Sequence, residues 1–461
     1  MKRHSCTTLL VGRRATIDGS TVVCREEDYG NAFDPQRFMF IQAAAQPRHY
    51  ESKTTTFKLE LPDNPVGYTS TPDADDSAGI FAAGGINQHN VAMTGTETIT
   101  TNSRILGLDP FNTESGIGEE DFVTLVLPYI KTAREGVLRL GKLLEKYGTY
   151  EANAISFGDH NEVWYMETIG GHHWAAIRIP DDAYVIAPNR FNITTFDFDS
   201  PMTLSDPGLQ DLIDNHQLNP ALDGSYNLRT ICGSQTVTDT RYNNPRAWYV
   251  QQQLGGRGTH RPTDQDLPFI CHADHKLTIE EIKDLMSSHF QNTPYDPYEQ
   301  TTGHGPYRSI ALNRNLELHI LQIRNGVAPA VAGIHWLAFG PNAFNAVVPF
   351  YANVIDTPTQ YRDTTTQYST KQMYWLSHTI AAIGDQYYQL ARPKVENYEQ
   401  QVVADSRHLQ TIADQKVNQQ TTPASYLTKV NQQMADKAYQ GAVDLLGDLV
   451  KIAFEHAKLQ F

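Results

Sequence analysis

The sequence predicts an α+β domain built in layers, and three features of the pattern lead there. Strand-like runs fall into two groups, one beginning with AISFGD at 154–159 and the other with SIALNR at 309–314. Helical spacing lies between the groups and again after them, from about Lys371 onward. No GxGxxG follows a strand, and Gly84-Gly85-Ile86 lacks the spacing that holds a pyrophosphate, so a doubly wound nucleotide-binding sheet is not expected.

The elements follow in chain order. CTTLLV from Cys6 and TVVCR to Arg25 alternate like strands, with Gly12 and the turn signal Asp18-Gly19-Ser20 between them, and read as a hairpin. A tight turn at Asp18-Gly19 would pair Cys6 well past Arg25. Bringing those two together requires the whole stretch from Gly12 to Gly19 to act as a loop or to carry a bulge. Polar segments follow. Glu119 to Tyr147 then shows helical spacing through Phe122, Leu125, Val126, Tyr129 and Ile130, with Gly148 as its stop.

Next, AISFGD, NEVWYMETI, HHWAAIRI and DAYVIAPNR alternate short strands with turns and predict an antiparallel meander. Leu277 to His289 reads as a helix opened by Thr278, with Glu280 and Glu281 in its first turn, where carboxylates suit the helix dipole. The second group of strands is SIALNR, LELHILQIR, VAGIHWLAFG and AVVPFYANV. The tail is helical, through YWLSHTIAAIGDQYYQLA and, after Pro423, SYLTKV to AFEHAKL. Its recurrent Leu, Val, Ile and Phe predict packed amphipathic helices rather than low complexity.

Composition narrows the function classes. Acidic residues outnumber basic ones by 52 to 37, a net charge of -15, which argues against nucleic acid or an anionic membrane as the main partner. Four cysteines, Cys6, Cys24, Cys232 and Cys271, are too scattered for a disulfide framework and form no CxxC pair. Apolar stretches such as Val327 to Phe339 are broken by Pro329, Gly333 and His335 and are too short to span a bilayer. A soluble, cytoplasmic protein is expected, and homo-oligomerisation is left open.

The chemistry centres on Cys6. Met1 to Ser5 is polar, basic and too short to hold the apolar core of a secretory signal, so it reads as a removable leader. On residue type alone Cys6 would be a small buried hydrophobe. If the leader is removed, Cys6 carries a thiol and a free α-amine whose ordinary pKa lies near 8, suited to take a proton from the thiol and pass it to a leaving amine. In CREED, Arg25 and Asp28 form an RxxD element just after the second strand. Alone it is a surface ion pair. Beside Cys6, the arginine would stabilise a thiolate and the carboxylate would orient the α-ammonium group.

With these residues in hand, CTTLLVGRRATIDGST followed by CREED resembles the opening of the dipeptidase A and secernin group of N-terminal-nucleophile cysteine hydrolases. NEVWYMETIGGHHWAAIRIPDDAYVIAPNRFNI at 161–193 resembles the family's middle block, and RSIALNRNLELHILQIRNGVAPAVAGIHWLAFG from Arg308 resembles a third. The resemblance runs from residue 6 to about 350. It implies a four-layer αββα sandwich as one domain over residues 6–461, with additional C-terminal helices from about 371, and removal of residues 1–5. It implies a cysteine dipeptidase that needs no cofactor, with dipeptides as substrates. It carries Cys6 over as nucleophile, Arg25 as thiolate partner, Asp28 as holder of the α-amine and Asn189 as oxyanion donor, with Asn192 three residues away. Release of the leader would need a cut between Ser5 and Cys6 by the Cys6 thiol itself. Arg229 is not assigned a role.

Two rivals stand beside this reading: an amidase for non-peptide N-acyl amides using the same machinery, and a catalytically silent relative that binds without cleaving. Other motifs favour plain roles. His160, Glu162, His172 and His173 do not form HExxH, and adjacent strand residues face opposite sides, so no metal site is expected. Glu167, Asp181 and Asp182 read as strand-end and turn residues, and Trp164, Trp174, Trp336 and Trp375 as core.

Overall fold

The computed structural model describes residues 5–28, 34–77, 79–256, 260–300 and 305–459. Cys6–Val11 (β1) and Thr21–Glu27 (β2) pair antiparallel, with Cys6 opposite Glu27 and Val11 opposite Val22. The whole segment between them is a loop, which the register needs. Within it Gly19 takes a φ of +76°, open to glycine at no steric cost, and the Asp18 carboxylate accepts the Ser20 N–H at 3.1 Å.

Strand alternation sorts the side chains of this hairpin. Leu9, Val11, Val22 and Cys24 join the core under the C-terminal helices, whereas Leu10 and Val23 face the opposite way into a second core. Cys6, Thr8, Arg25 and Glu27 continue that second face along the two strands.

The pair sits inside a seven-stranded sheet. Its order is Ile270–Cys271, Tyr184–Ala187, β1, β2, Glu317–Ile323, Gly333–Phe339 and Val348–Tyr351, with every neighbour antiparallel. A second antiparallel sheet has six strands in the order Thr203–Ser205, His173–Ile179, Val163–Ile169, Asn153–Gly158, Ala92–Thr98 and Gly84–Ile86. Leu10, Val23 and Leu321 of the first sheet meet Ala92, Ala154 and Tyr165 of the second in one apolar cluster. The other face of the second sheet, with Phe157, Trp164 and Met166, packs on Phe122, Leu140 and Leu144 from helices Glu119–Val126 and Ala133–Tyr147. The far face of the first sheet, with Ile320 and Trp336, packs on Ile282, Leu376 and Leu445 from Ile279–Met286, Met373–Gln386 and Pro423–Glu455. Helix Tyr388–Lys416 adds Val395 and Val402 to the same cluster.

Several elements differ from expectation. SIALNR is not a strand: the Leu312 N–H bonds the Asn315 side chain in a turn, and Arg308 and Arg314 both turn toward Asp28. Tyr184–Ala187 leaves the meander and pairs with β1 in the other sheet. The helical stretch from Glu119 breaks at Leu127–Tyr129, where Pro128 has no N–H to continue the ladder, and restarts after Thr132, whose hydroxyl accepts the Glu135 N–H at 3.1 Å. Ala92–Thr98 and Gly84–Ile86 lie where only polar segments were expected. Among the described residues no helix is long and apolar enough to cross a membrane.

Candidate active site

Cys6 opens β1 with no exposure to solvent, and its sulfur lies on the face between the two sheets. Arg25 reaches it from the neighbouring strand: Nη1 donates to Sγ at 3.0 Å. The rest of the guanidinium is held by the second sheet and its approach, Nε by Thr94 Oγ1 at 2.9 Å and Nη2 by the carbonyls of Ala83 and Gly95 at 3.0 and 3.1 Å. Glu27 at 3.6 Å and Glu119 at 3.8 Å supply counter-charge. Burial works against the Arg25 cation, but Cys6 and these carboxylates outweigh it, and Arg25 keeps its proton more firmly than usual.

The same surroundings act on the thiol. Burial pushes Cys6 well above the ordinary thiol range; Arg25 pulls the other way, and Glu27, Glu119 and Asp28 add to the rise. Arg25 therefore acts in the direction expected of a thiolate partner, yet in the chain still joined to Ser5 burial outweighs it and favours the neutral thiol.

The peptide link before Cys6 is closely held. Ser5 is buried, its carbonyl accepts the Asp28 N–H at 3.1 Å, and its hydroxyl donates to Asp28 Oδ1 at 2.8 Å. Arg308 pairs with Asp28 Oδ2, and Arg314 reaches Oδ1 through Nε and Nη2, each at 3.3 Å. Asp28 thus lies against Ser5 rather than against the Cys6 nitrogen. That nitrogen donates to Asn189 Oδ1 at 3.3 Å, and Arg246 Nη2 donates to the same oxygen at 2.9 Å. With two donors converging there, Asn189 presents its carbonyl to the site and turns its amide to Thr98 O at 3.0 Å.

The four residues singled out in the sequence, Cys6, Arg25, Asp28 and Asn189, therefore gather around one peptide bond. Asn192 does not join them; its amide bonds Tyr165 Oη and the Pro188 carbonyl. Arg229 does not either, being spent on the carbonyls of Phe191, Asn192 and Leu267. Sequence reasoning missed Arg246, whose Nη1 donates to the Cys6 carbonyl at 2.5 Å and to Thr7 Oγ1 at 2.8 Å from helix Asn244–Gln253. It also missed Tyr242, over whose ring Arg246 and Arg308 both lie at 5.3 Å. Isolated arginines carry no spacing signature; the one available signal was the pair Arg308 and Arg314 bracketing a block already noted for its resemblance.

The histidines of the middle block are held by separate carboxylates, His172 Nδ1 by Asp109 at 2.9 Å and His173 Nδ1 by Asp206 at 2.8 Å. Among the described residues one group, His260, Asp264 and Asp266, has side chains close enough to share an ion. A groove of about 720 Å³ runs between Ile279–Met286 and Tyr388–Lys416, lined by Glu280, His289, Tyr388 and Glu399, and touches none of the residues around Cys6.

The sequence model of peptidase family C69 matches residues 5–401. The chain is 51% identical over 466 residues to the probable dipeptidase B of Lactococcus lactis subsp. lactis, covering 100% of this chain and 98% of that protein. It is 49% identical over 463 residues to dipeptidase A of Lactobacillus helveticus, covering 98% and 97%. With the dipeptidase of Bifidobacterium longum it shares 43% identity over 444 residues, covering 90% and 83%.

Proposed function

The chain belongs to peptidase family C69, and from that premise we propose that it is a dipeptidase acting through Cys6 as an N-terminal nucleophile. The observation that carries the proposal is the 3.0 Å approach of Arg25 Nη1 to Cys6 Sγ beside a peptide bond whose carbonyl already accepts the Asp28 N–H. In maturation Sγ attacks the Ser5 carbonyl carbon. A thioester forms, the Ser5–Cys6 C–N bond breaks, and the freed nitrogen takes up the proton. Water then releases residues 1–5. Residues 6–461 would form a single domain of the αββα N-terminal-nucleophile class, with the C-terminal helices as an addition to it.

In turnover the new α-amine takes the thiol proton as Sγ attacks the dipeptide carbonyl, and gives it to the departing amine; water hydrolyses the thioester. The amine matters because burial works against the thiolate, so the departing proton needs an acceptor at hand. Arg25 stabilises the sulfur as it loses its proton, and Asn189 Oδ1, which takes the Cys6 N–H in the uncut chain, orients the amine. Asp28 moves its hydrogen bond from Ser5 to the α-ammonium once Ser5 has gone. The Asp28 N–H supplies one oxyanion donor.

Intact-mass measurement combined with a dipeptide assay tests the proposal. Loss of Met1 to Ser5 together with dipeptide hydrolysis is expected. Active protein that retains the leader overturns the mechanism, and turnover of N-acyl amides in place of dipeptides overturns the substrate class.

A further inference from the structure

Before maturation Ser5 is the acyl residue of the bond that Cys6 attacks, and in turnover the acyl residue is the N-terminal residue of the dipeptide. One sulfur and one oxyanion donor serve both reactions. The two carbonyls must therefore take the same place, and the side chain of the substrate's first residue must enter the space that the Ser5 side chain leaves.

That space is built by Asp28, Tyr242 and Arg314. Arg314 Nη2 donates to Ser5 Oγ at 3.1 Å, to Tyr242 Oη at 3.0 Å and to Asp28 Oδ1 at 3.3 Å, and Nε is also turned to Asp28. Nη1 makes no hydrogen bond among the described residues, and the Arg314 side chain is 33% exposed where that of Arg308 is 7%. Departure of Ser5 leaves Nη2 with Tyr242 and Asp28, and leaves Nη1 as the charged donor beside the vacated space that a carboxylate can take. Charge agrees: Arg308 and Arg314 both converge on Tyr242 and Asp28, and Glu26, the other carboxylate at Arg308, is pushed well up toward its neutral form by burial. A serine hydroxyl leaves this surplus of positive charge unused.

We propose, resting on the dipeptidase reading above, that Arg314 is a specificity-determining residue whose Nη1 binds the side-chain carboxylate of an N-terminal aspartate or glutamate in the substrate. The dipeptide's own C-terminal carboxylate lies on the leaving side of the bond and does not reach this place.

The test compares kcat/KM for Asp-Leu, Asn-Leu, Leu-Leu and Leu-Leu-amide in processed wild-type protein and Arg314→Gln. Wild type should favour Asp-Leu over Asn-Leu, and Arg314→Gln should lower that ratio about 10- to 100-fold, the size of one charged hydrogen-bonded contact. An unchanged ratio overturns the inference and leaves Arg314 as an anchor of Asp28. A collapse of the Leu-Leu to Leu-Leu-amide ratio instead assigns Arg314 to the C-terminal carboxylate and also overturns it. Should Arg314→Gln fail to fold or mature, leader release decides. With Arg314 in place, Ser5→Asp should be released at least as fast as the natural chain and Ser5→Lys more slowly; equal rates reject the subsite. Processed wild-type protein that cleaves no dipeptide at all takes away the dipeptidase reading instead, and the two release rates still decide the subsite.

Discussion

Arg25 Nη1 lies 3.0 Å from Cys6 Sγ although the two residues are not opposite each other in the β-ladder: Cys6 faces Glu27, and Arg25 faces Thr8. The contact is diagonal, across two residues of the neighbouring strand, and only a side chain as long as arginine spans it while reaching the second sheet with its other nitrogens. Burial drives the thiol up and Arg25 holds it down. Arg25→Met should therefore move the pH dependence of Cys6 alkylation to higher pH in processed protein and slow turnover even where substrate still binds. An unchanged alkylation profile would show that Arg25 is structural.

Under the proposed mechanism one thiol performs both acyl transfers, so Cys6→Ala should keep residues 1–5 and hydrolyse nothing. Intact mass and a dipeptide assay read both outcomes. Cys24 packs on the far side of the sheet, and Cys232 and Cys271 sit on other elements, so their alanine variants should be cleaved and active. Loss in any of them equal to that of Cys6→Ala would place the nucleophile elsewhere.

The gathering of Cys6, Arg25 and Asp28 was legible because each sits at a fixed offset within one hairpin, where strand period and loop length set the geometry. Asn189 was reached through resemblance, and the sequence did not tell which end of its amide faces the site; that is decided by Arg246, 57 residues on. Ala92–Thr98 was missed because its small and polar residues read as a loop. It is a strand because Asn153–Gly158 and Gly84–Ile86 pair with it on either side, where propensity yields to context. SIALNR read as a strand by alternation, but paired arginines drawn to Asp28 hold it as a turn.

The loop that sets the β1–β2 register is open to a direct stability test. A Cβ on Gly12 would stand 2.3 Å from the Pro180 carbonyl oxygen and 2.5 Å from that of Asp181, both backbone atoms with little room to retreat. Gly12→Ala should cost at least about 1–3 kcal/mol and lower Tm. Gly447→Ala, in a helix with nothing within 4 Å, should be neutral or stabilising by about 1 kcal/mol. Equal melting points for the two variants would contradict the packing of this loop.

Glu167 gives a pH dependence. Burial raises its carboxyl to about 7, against an ordinary 4.5, although it accepts the Asn192 N–H at 2.5 Å. The folded chain then holds a proton that the unfolded chain releases. The stability it contributes is present below about pH 4.5 and is lost as pH rises to about 7, by up to about 3 kcal/mol. Glu167→Gln keeps an oxygen for the Asn192 N–H and removes the titration. The fall in urea midpoint between pH 5 and pH 8 should be smaller in the variant, and an equal fall would assign the dependence to other groups.

Asn189 separates two roles that alanine alone cannot. As an acceptor it holds the Cys6 nitrogen and Arg246 through Oδ1; as an oxyanion donor it would have to turn its amide away from Thr98 O, where it already makes a hydrogen bond of 3.0 Å. Asn189→Ala removes both and should lose activity in either case, by about 100- to 1,000-fold if an oxyanion donor is lost. Asn189→Asp keeps the acceptor and removes the donor. If Asn189 serves by orienting the α-amine, the aspartate variant should mature and retain kcat well above that of the alanine variant, because a carboxylate accepts from the ammonium and from Arg246 at least as well as an amide oxygen does. If both variants fall together in kcat with KM little changed, the amide acts on the oxyanion in the transition state, and the orientation that Asn189 holds in the uncut chain must reverse once Cys6 becomes the N-terminus.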